Sequence, residues 1–466
     1  MGTSAANITA IPFVEQASYP VRSGNCVRPL VDGEPAFRRI CEAIDSARAS
    51  LWVTVTFMWS AFEMPDGRGS ALDVFDRAAA RGIDVRLIFW RPDTETEHLG
   101  ANTFWGSGKH IAQLGACAPG VRIRWDRAQP GFCQHQKSWL IDAGCDTETA
   151  FVGGINLNPY SVVSPGHRGE GHNHDVYVEL TGPSTVDVHH NFVQRRNEAS
   201  ERFAADGMWG HGSEANLPFP VRVPTVKGNA TVQIQRTIHQ GRYTDSTPSP
   251  DGKSFDIAVG ERSNFEQYCA AISAARRSIY LENQYLDDPE IVARLCQAVK
   301  AGIEVAVLLP APLKSTVPPF AGLEQGTLVG DLLARGAYEN LTLAGIAGLG
   351  KDGRRKPVHI HSKLMLVDDV WATVGSCNLH RFSLFGNSEM NAAFRDPESV
   401  RTLRSELLRE HLDVDTLSLD DRTALRLFRR IATDNRRKLE AGDAAWQGLA
   451  LNLNGGRLVG QADRTK

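Results

Sequence analysis

Apolar positions in this chain recur with a helical period ahead of two similar strands. Phe37, Ile40, Cys41 and Ile44 stand at i, i+3, i+4 and i+7, and Phe265, Tyr268, Cys269 and Ile272 repeat that spacing. Each set therefore lies on one face of an amphipathic helix. The helices lead into related runs, Ala43-Ile-Asp-Ser-Ala-Arg-Ala-Ser-Leu-Trp-Val53 and Ala271-Ile-Ser-Ala-Ala-Arg-Arg-Ser-Ile-Tyr-Leu281. Farther on, Ala78 to Phe89 matches Ala298 to Leu309, with Gly82 and Gly302 closing a helix before an aliphatic run that predicts a buried strand. A period of about 220 residues is too long for a solenoid and suits two fused domains.

The pattern predicts an α/β fold of two tandem homologous halves, each a mixed sheet flanked by helices. The expected boundaries are 1–209 for the first half, a Gly- and Pro-rich linker at 210–228, and 229–412 for the second half. A helical extension is expected at 413–466, where Leu425, Leu427, Phe428 and Ile431 keep helical spacing. The polar stretch His239 to Lys253 has no counterpart in the first half and reads as a mobile surface loop.

Each half also carries His-x-Lys-x4-Asp, as His135, Lys137 and Asp142 and as His361, Lys363 and Asp368. Each copy leads to a small-residue pair and an Asn, Gly153-Gly154-Ile-Asn156 and Gly375-Ser376-Cys-Asn378. Three fixed residues would match by chance roughly 0.06 times in such a length, so two matches with similar sequels point to one site built from two halves. Strand alternation puts His135 with Lys137, and His361 with Lys363, on one face. Asp142 and Asp368 fall out of phase with the lysines, so strand-end capping and direct chemistry both remain open for them.

Composition narrows the partners. With 51 Lys+Arg against 54 Asp+Glu, the chain is slightly acidic, which disfavours stable sequence-independent nucleic-acid binding. No run approaches the roughly 18 apolar residues of a membrane span. The N-terminal segment lacks a basic region and a long apolar stretch, so a signal peptide is either absent or already removed and export stays open, and Ala6 replaces the Ser or Thr needed for myristoylation at Gly2. Eight Cys without a Cys-x-x-Cys pair suit buried free thiols and a reducing compartment. The expected location is cytoplasmic or at a membrane surface. The sequence does not indicate an oligomeric state.

The double motif, its Gly-Gly-x-Asn and Gly-Ser-x-Asn sequels and Ile279-Tyr-Leu-Glu-Asn-Gln-Tyr285 together resemble the phospholipase D superfamily. Val358 to Asp368, Asn387-Ser-Glu-Met-Asn391 and Leu403 to Leu412 are similar to the core of its phosphatidylcholine-cleaving members of eukaryotic type. The likeness covers Val27 to Leu412; Arg196 stands where that family usually has Trp, and the Asp142–Gly153 connection is longer than Asp368–Gly375. It implies two phospholipase-D-like α/β halves with a single pseudo-symmetric active site at their interface. The implied activity is hydrolysis of a glycerophospholipid, at a membrane or micelle surface, to phosphatidate and free headgroup. It would pass through a phosphohistidine and allow transfer to alcohols. His135 would attack phosphorus and His361 would protonate the leaving alcohol. Asp175 and Glu389 would orient the imidazoles, and Lys137, Lys363, Asn156 and Asn378 would hold the phosphoryl oxygens.

The residue types suit that chemistry, because an anionic phosphodiester needs a neutral nucleophile, an acid for the leaving group and cations around its oxygens. No metal or other cofactor is called for. The segment holding His167, His172, His174 and Asp175 is Gly-rich, which argues against a metal cluster there. Phe57, Trp59, Trp90, Phe104, Trp105, Phe382 and Phe385 suit either an apolar entrance or core packing. A nuclease of the same superfamily is a second reading. A cardiolipin-synthase-type transferase is disfavoured by the lack of spans. A non-catalytic binding module, touching an anionic surface through Arg429, Arg430, Arg436, Arg437 and Lys438, is disfavoured because both motif copies are complete.

Overall fold

The computed structural model describes residues 11–93, 110, 112–114, 120–169, 171–209, 215–310, 338–443 and 445–453. The repeat in the sequence is a repeat in strand order. In the first half the strands lie side by side as Arg122–Asp126, Asp84–Trp90, Ser50–Val55, Ser138–Ile141, Thr149–Gly153, Val176–Thr181 and Arg22–Val31. The second half repeats the order with Leu341–Leu349, Glu304–Leu308, Ser278–Glu282, Leu364–Val367, Trp371–Gly375, Glu389–Arg395 and Ala230–Ile238. The first three strands of each half are mutually parallel and the remaining pairings are antiparallel. Crossover helix Ala71–Ala80 links Ser50–Val55 to Asp84–Trp90, and Pro289–Lys300 links Ser278–Glu282 to Glu304–Leu308, as parallel pairing requires.

The halves share hydrogen bonds as well as a chain. Strand Arg22–Val31 pairs with the second half through Arg22, Ser23 and Asn25 and with the first half through Cys26 to Val31. Its irregularity falls at Gly24, whose φ of 92° suits glycine. Side chains alternate between layers accordingly. Leu51, Val53 and Val55 pack toward the helices Gly33–Ser46 and Ala71–Ala80, whereas Trp52 enters a central core shared with Tyr280, Leu364 and Leu366 of the second half. Helices Thr185–Asn197, Pro397–Leu412 and Asp421–Glu440 supply the rest of that layer. Arg196 is fully buried within the first of them.

Two expectations are corrected. The stretch 239–253 is no free loop, because Tyr243 is 1% exposed and the backbone carbonyls of Asp245 and Thr247 bind Gln194 and His190 of the first half. Its polar composition serves turns and a clasp across the halves. The C-terminal extension is also not purely helical, since Ala450–Asn452 adds an antiparallel edge strand to Leu341–Leu349. Of its basic residues, Arg429 binds Glu304, Arg436 binds Glu440 and Arg437 binds Asp434. Cys26 is exposed and Cys145 and Cys296 are half-buried, while Cys41, Cys133, Cys269 and Cys377 are buried free thiols.

Candidate active site

Each His-x-Lys motif sits between two ladders rather than inside one. Lys137 and Lys363 stand just before the antiparallel strands Ser138–Ile141 and Leu364–Val367. On their other side the chain crosses to the opposite half. Gln134 bridges Ser388 in parallel, with His135 N donating to the Ser388 carbonyl at 2.9 Å. In the same way His359 and Ile360 pair with Asn173 and His174, and His361 N donates to the His174 carbonyl at 2.9 Å. The residue after each bridge partner is a carboxylate, so the carboxylates are exchanged between halves.

Glu389 of the second half faces His135 of the first, its oxygens 2.9 and 3.0 Å from Nδ1. Asp175 of the first half faces His361 of the second at 2.5 Å. Both imidazoles thus present Nδ1 to a carboxylate, which fixes that nitrogen as the protonated one and leaves Nε2 for chemistry. The carboxylates are anchored differently. Glu389 also accepts from the Ser376 and Ser383 hydroxyls at 2.6 and 2.5 Å, whereas Asp175 accepts from the Val176 N–H at 2.8 Å. Gly154 allows this approach, because a Cβ there would lie 2.4 Å from Asp175 Oδ1.

The ammonium groups lie beside the imidazoles. Lys137 Nζ donates to the His135 carbonyl at 2.8 Å, and Lys363 Nζ donates to the His361 carbonyl. Asn156 and Asn378 are buried, and the amide oxygen of each has no hydrogen-bond partner among the described residues. A side-chain amide can present either end to a ligand.

Burial dominates the electrostatics. It pushes Lys137 down to about 8 and Lys363 down to about 7, with Lys137 repelling charge on Lys363. Burial also holds His135 below and His361 well below the ordinary histidine value. Asp175 is raised to about 7 by burial. For Glu389 burial works in the same upward direction, but His135, Lys137 and the Ser376 hydroxyl outweigh it and hold the carboxyl low. The two halves therefore form one electrostatic unit, with two neutral-leaning imidazoles, one firm anion and two cations near their titration points.

Asp142 and Asp368 do not join this site, which corrects their placement among the candidate chemical groups. They stand about 16 Å along the chain from the motif lysines, five extended residues away. Asp368 accepts from the N–H groups of Arg276, Arg277 and Ser278 at 2.8, 2.8 and 2.9 Å. Asp142 does the same for Arg48, Ala49 and Ser50 and also binds Thr147. Both have positive φ, 56° and 57°. They cap the junction where each repeated helix enters its strand.

Ser383 on Glu389 was missed although the sequence carried a signal for it, since Ser383 stands five residues after Asn378 as Ser161 stands five after Asn156. Ser376 was visible only as the Ser of Gly-Ser-x-Asn. Of the aromatics, Trp90 is fully buried against Phe57 and belongs to the core, while Phe57, Trp59, Phe382 and Phe385 are half-buried. Phe104 and Trp105 lie outside the described residues.

Comparison with known proteins agrees with this duplicated geometry. The family model described as "Cardiolipin synthase, PLD-like domain" matches residues 40–196 and 268–410, one match per half. Phospholipase D alpha 2 of Oryza sativa subsp. japonica is 22% identical over 82% of this chain, which spans 61% of that protein's length. Cardiolipin synthase B of Escherichia coli K12 is 28% identical over 83% of this chain and 80% of its own. The fold is similar to that of a phosphatidylserine synthase from Haemophilus influenzae, with TM-score 0.52, 12% identity, and coverage of 89% of this chain and 94% of the other. The narrower resemblance to eukaryotic phosphatidylcholine-cleaving enzymes gives way to this broader relation. No described helix is long and apolar enough to cross a membrane, yet the match shows that lacking spans is no argument against a cardiolipin-synthase relation. Two family matches, one over each half of a single His, Lys and carboxylate site, make this chain a phospholipase D superfamily enzyme of the cardiolipin synthase, PLD-like domain family.

Proposed function

We propose that the chain transfers a phosphatidyl group from a glycerophospholipid to an alcohol through a phosphohistidine. Hydrolysis to phosphatidate is then the same reaction with water as the acceptor. The observation that carries this reading is the exchanged pair of His–carboxylate contacts, His135 with Glu389 and His361 with Asp175. Two backed imidazoles can divide the work of nucleophile and acid, as a two-step displacement at phosphorus needs. The family relation to cardiolipin synthases favours an alcohol acceptor. So does the burial of both imidazoles, each 8% exposed, because a dry site disfavours water as a competing acceptor.

In this scheme His135 Nε2 attacks phosphorus while the Glu389 carboxylate stabilises the imidazolium. His361, entering as the imidazolium, gives its Nε2 proton to the departing alkoxide, then takes a proton back from the incoming alcohol as that alcohol displaces His135 from phosphorus. Lys137 and Lys363 neutralise the non-bridging oxygens, and the Asn156 and Asn378 amides fix their positions.

The test is incubation with phosphatidylglycerol and phosphatidylcholine vesicles, with and without ethanol, followed by mass spectrometry of the lipids. Cardiolipin or phosphatidylethanol is the expected product. Phosphatidate alone, even with ethanol present, would leave a hydrolase. Cleavage of single-stranded DNA without lipid turnover would replace the reading with a nuclease.

A further inference from the structure

Behind the second motif lies a buried group of ionisable side chains that the proposed reaction does not use. His167 Nε2 is 3.1 Å from Asp32 Oδ2 and 2.8 Å from Glu410 Oε1. His174 Nδ1 is 2.9 Å from Asp32 Oδ1 and 3.6 Å from Glu410 Oε2. Nitrogen and carboxylate oxygen thus alternate around a closed ring, and one ligand atom from each residue lies within 4.8 Å of every other. The side chains of Asp32, His167 and His174 are 0% exposed and that of Glu410 is 2% exposed.

Hydrogen bonding accounts for only part of this ring, the contact of His174 Nδ1 with Asp32 Oδ1. Among the described residues, neither nitrogen of His167 has a hydrogen-bond partner despite the close carboxylates, and Asp32 Oδ2 and Glu410 Oε2 have none either. Among the described residues, the charged partners of Asp32, Glu282 and Glu410 are imidazoles only.

The far side of His174 explains how it could present a lone pair to the ring. Its Nε2 faces Glu282 Oε2 at 3.0 Å, and Glu282 also accepts from His411 Nε2, the Tyr280 hydroxyl and the Ser362 hydroxyl. With Glu282 holding Nε2–H, a bound ion can take the place of the proton that Nδ1 now shares with Asp32, the outer-layer arrangement found behind metal-bound histidines. Asp32 and His167 hold positive φ angles of 65° and 43°, strain of a kind that surrounding structure must enforce.

We propose that Asp32, His167, His174 and Glu410 form a closed site for one divalent transition metal ion, zinc by its donor set. Two imidazoles and two carboxylates suit zinc, and tetrahedral ligands at about 2.0–2.1 Å stand about 3.3 Å apart, close to the ring edges here. The ion ties three distant segments together: the strand-to-helix junction at Asp32, the chain before Asp175, and helix Pro397–Leu412. It is structural and independent of which lipid the enzyme uses. The Gly-rich segment that argued against a metal proves to contribute only part of the set, because Asp175 is committed to His361 and the carboxylate ligands come from the two ends of the chain.

The full chain, produced with added Zn2+ and dialysed against metal-free buffer, is expected to retain about one zinc per molecule by elemental analysis. Zinc K-edge absorption should show a shell of nitrogen and oxygen that includes two imidazoles. His167→Ala and Glu410→Gln should each lower the content about tenfold, and Co2+-grown protein should show a visible d–d band absent from both variants. Should a variant not fold, the zinc content and absorption shell of the unaltered chain still decide. A folded chain without metal after growth and refolding in Zn2+ overturns the site, as does metal undiminished in the folded variants. Either failure leaves the proposed phosphatidyl transfer untouched.

Discussion

Replacing Glu389 with Gln tests whether the exchanged carboxylate acts on chemistry or only on packing. Glu389 accepts three contacts, from His135 Nδ1 at 2.9 Å, Ser376 Oγ at 2.6 Å and Ser383 Oγ at 2.5 Å. Gln keeps the length and one acceptor, and the two serine hydroxyls can turn to the remaining oxygen or accept from the amide. The loss falls on His135, whose contact with an anion becomes at best a neutral hydrogen bond. A bond to a charged group contributes about 1.5–3 kcal/mol against about 1 for a neutral one. That difference grows when attack on phosphorus makes the imidazole cationic, so a barrier increase of about 1.5–3 kcal/mol is expected, or about 10- to 150-fold in rate. Glu389 is not proposed to touch substrate, so KM should change less than about threefold. Rapid-quench kinetics with a phosphatidyl ester of p-nitrophenol separates the steps. The rate of the nitrophenol burst should fall in E389Q, whereas D175N should keep a fast burst and slow the turnover that follows. A folded E389Q whose burst and turnover stay within about twofold of the unaltered enzyme would refute a role for this carboxylate in supporting the nucleophile.

Three further outcomes follow from the same geometry. His361→Ala should still give a nitrophenol burst and a covalent adduct on the His135 peptide, because that leaving group needs no proton, while His135→Ala should give neither; an adduct on His361 would reverse the roles. Burial lowers Lys137 to about 8 and Lys363 to about 7, so each is charged below its value and loses charge as pH rises through it. kcat/KM should therefore decline above neutrality, a bound anion should shift the kcat limb to higher pH, and a folded Lys363→Ala should lose about 10² or more in turnover; a flat alkaline profile would contradict this. Asp368→Ala orphans three backbone N–H groups and should cost about 2–4 kcal/mol of stability with turnover of the folded fraction kept, an expectation defeated by inactivity at unchanged Tm.

The sequence made the fold legible because both periodicities were duplicated. Helical spacing at Phe37 to Ile44 and Phe265 to Ile272, followed by aliphatic runs, fixed the order of elements that the sheets then adopt. It also made His135, Lys137, His361 and Lys363 legible, since a motif repeated at matching places implies a shared site. Spacing within one half could not show that Glu389 serves His135 and Asp175 serves His361, because that exchange arises from pairing between halves, Gln134 with Ser388 and Ile360 with His174. Asp142 and Asp368 show the opposite limit. Their repetition left capping and chemistry equally open, and what is repeated is a helix-to-strand junction whose backbone N–H groups need an acceptor. The clasp at 239–253 escaped because turn-forming residues read as solvent-facing when their partners lie on a helix some 50 residues earlier in sequence.

A site made of two similar halves has to make its two imidazoles unequal. Near His135 and His361 the first contacts are alike, a carboxylate on Nδ1 and an ammonium on the carbonyl. The layer behind them is not alike. In the sheets Thr54 lies opposite Ser138 as Glu282 lies opposite Leu364, so a neutral hydroxyl occupies in one half the place of a carboxylate in the other. Gln136 within the first motif engages the Asn191 amide, whereas Ser362 within the second donates to Glu282, which is bound in turn to His174 and His411. Neutral dipoles behind His135 do not favour its cationic form, which suits a group that must attack as a free base. Behind His361 an ionic network fixes the Ser362 and His174 backbone from which that imidazole and its carboxylate project. Duplication thus supplies the backbone positions twice. In the proposed scheme the division of labour between attacker and acid rests on side chains one layer deeper, where the two halves no longer match.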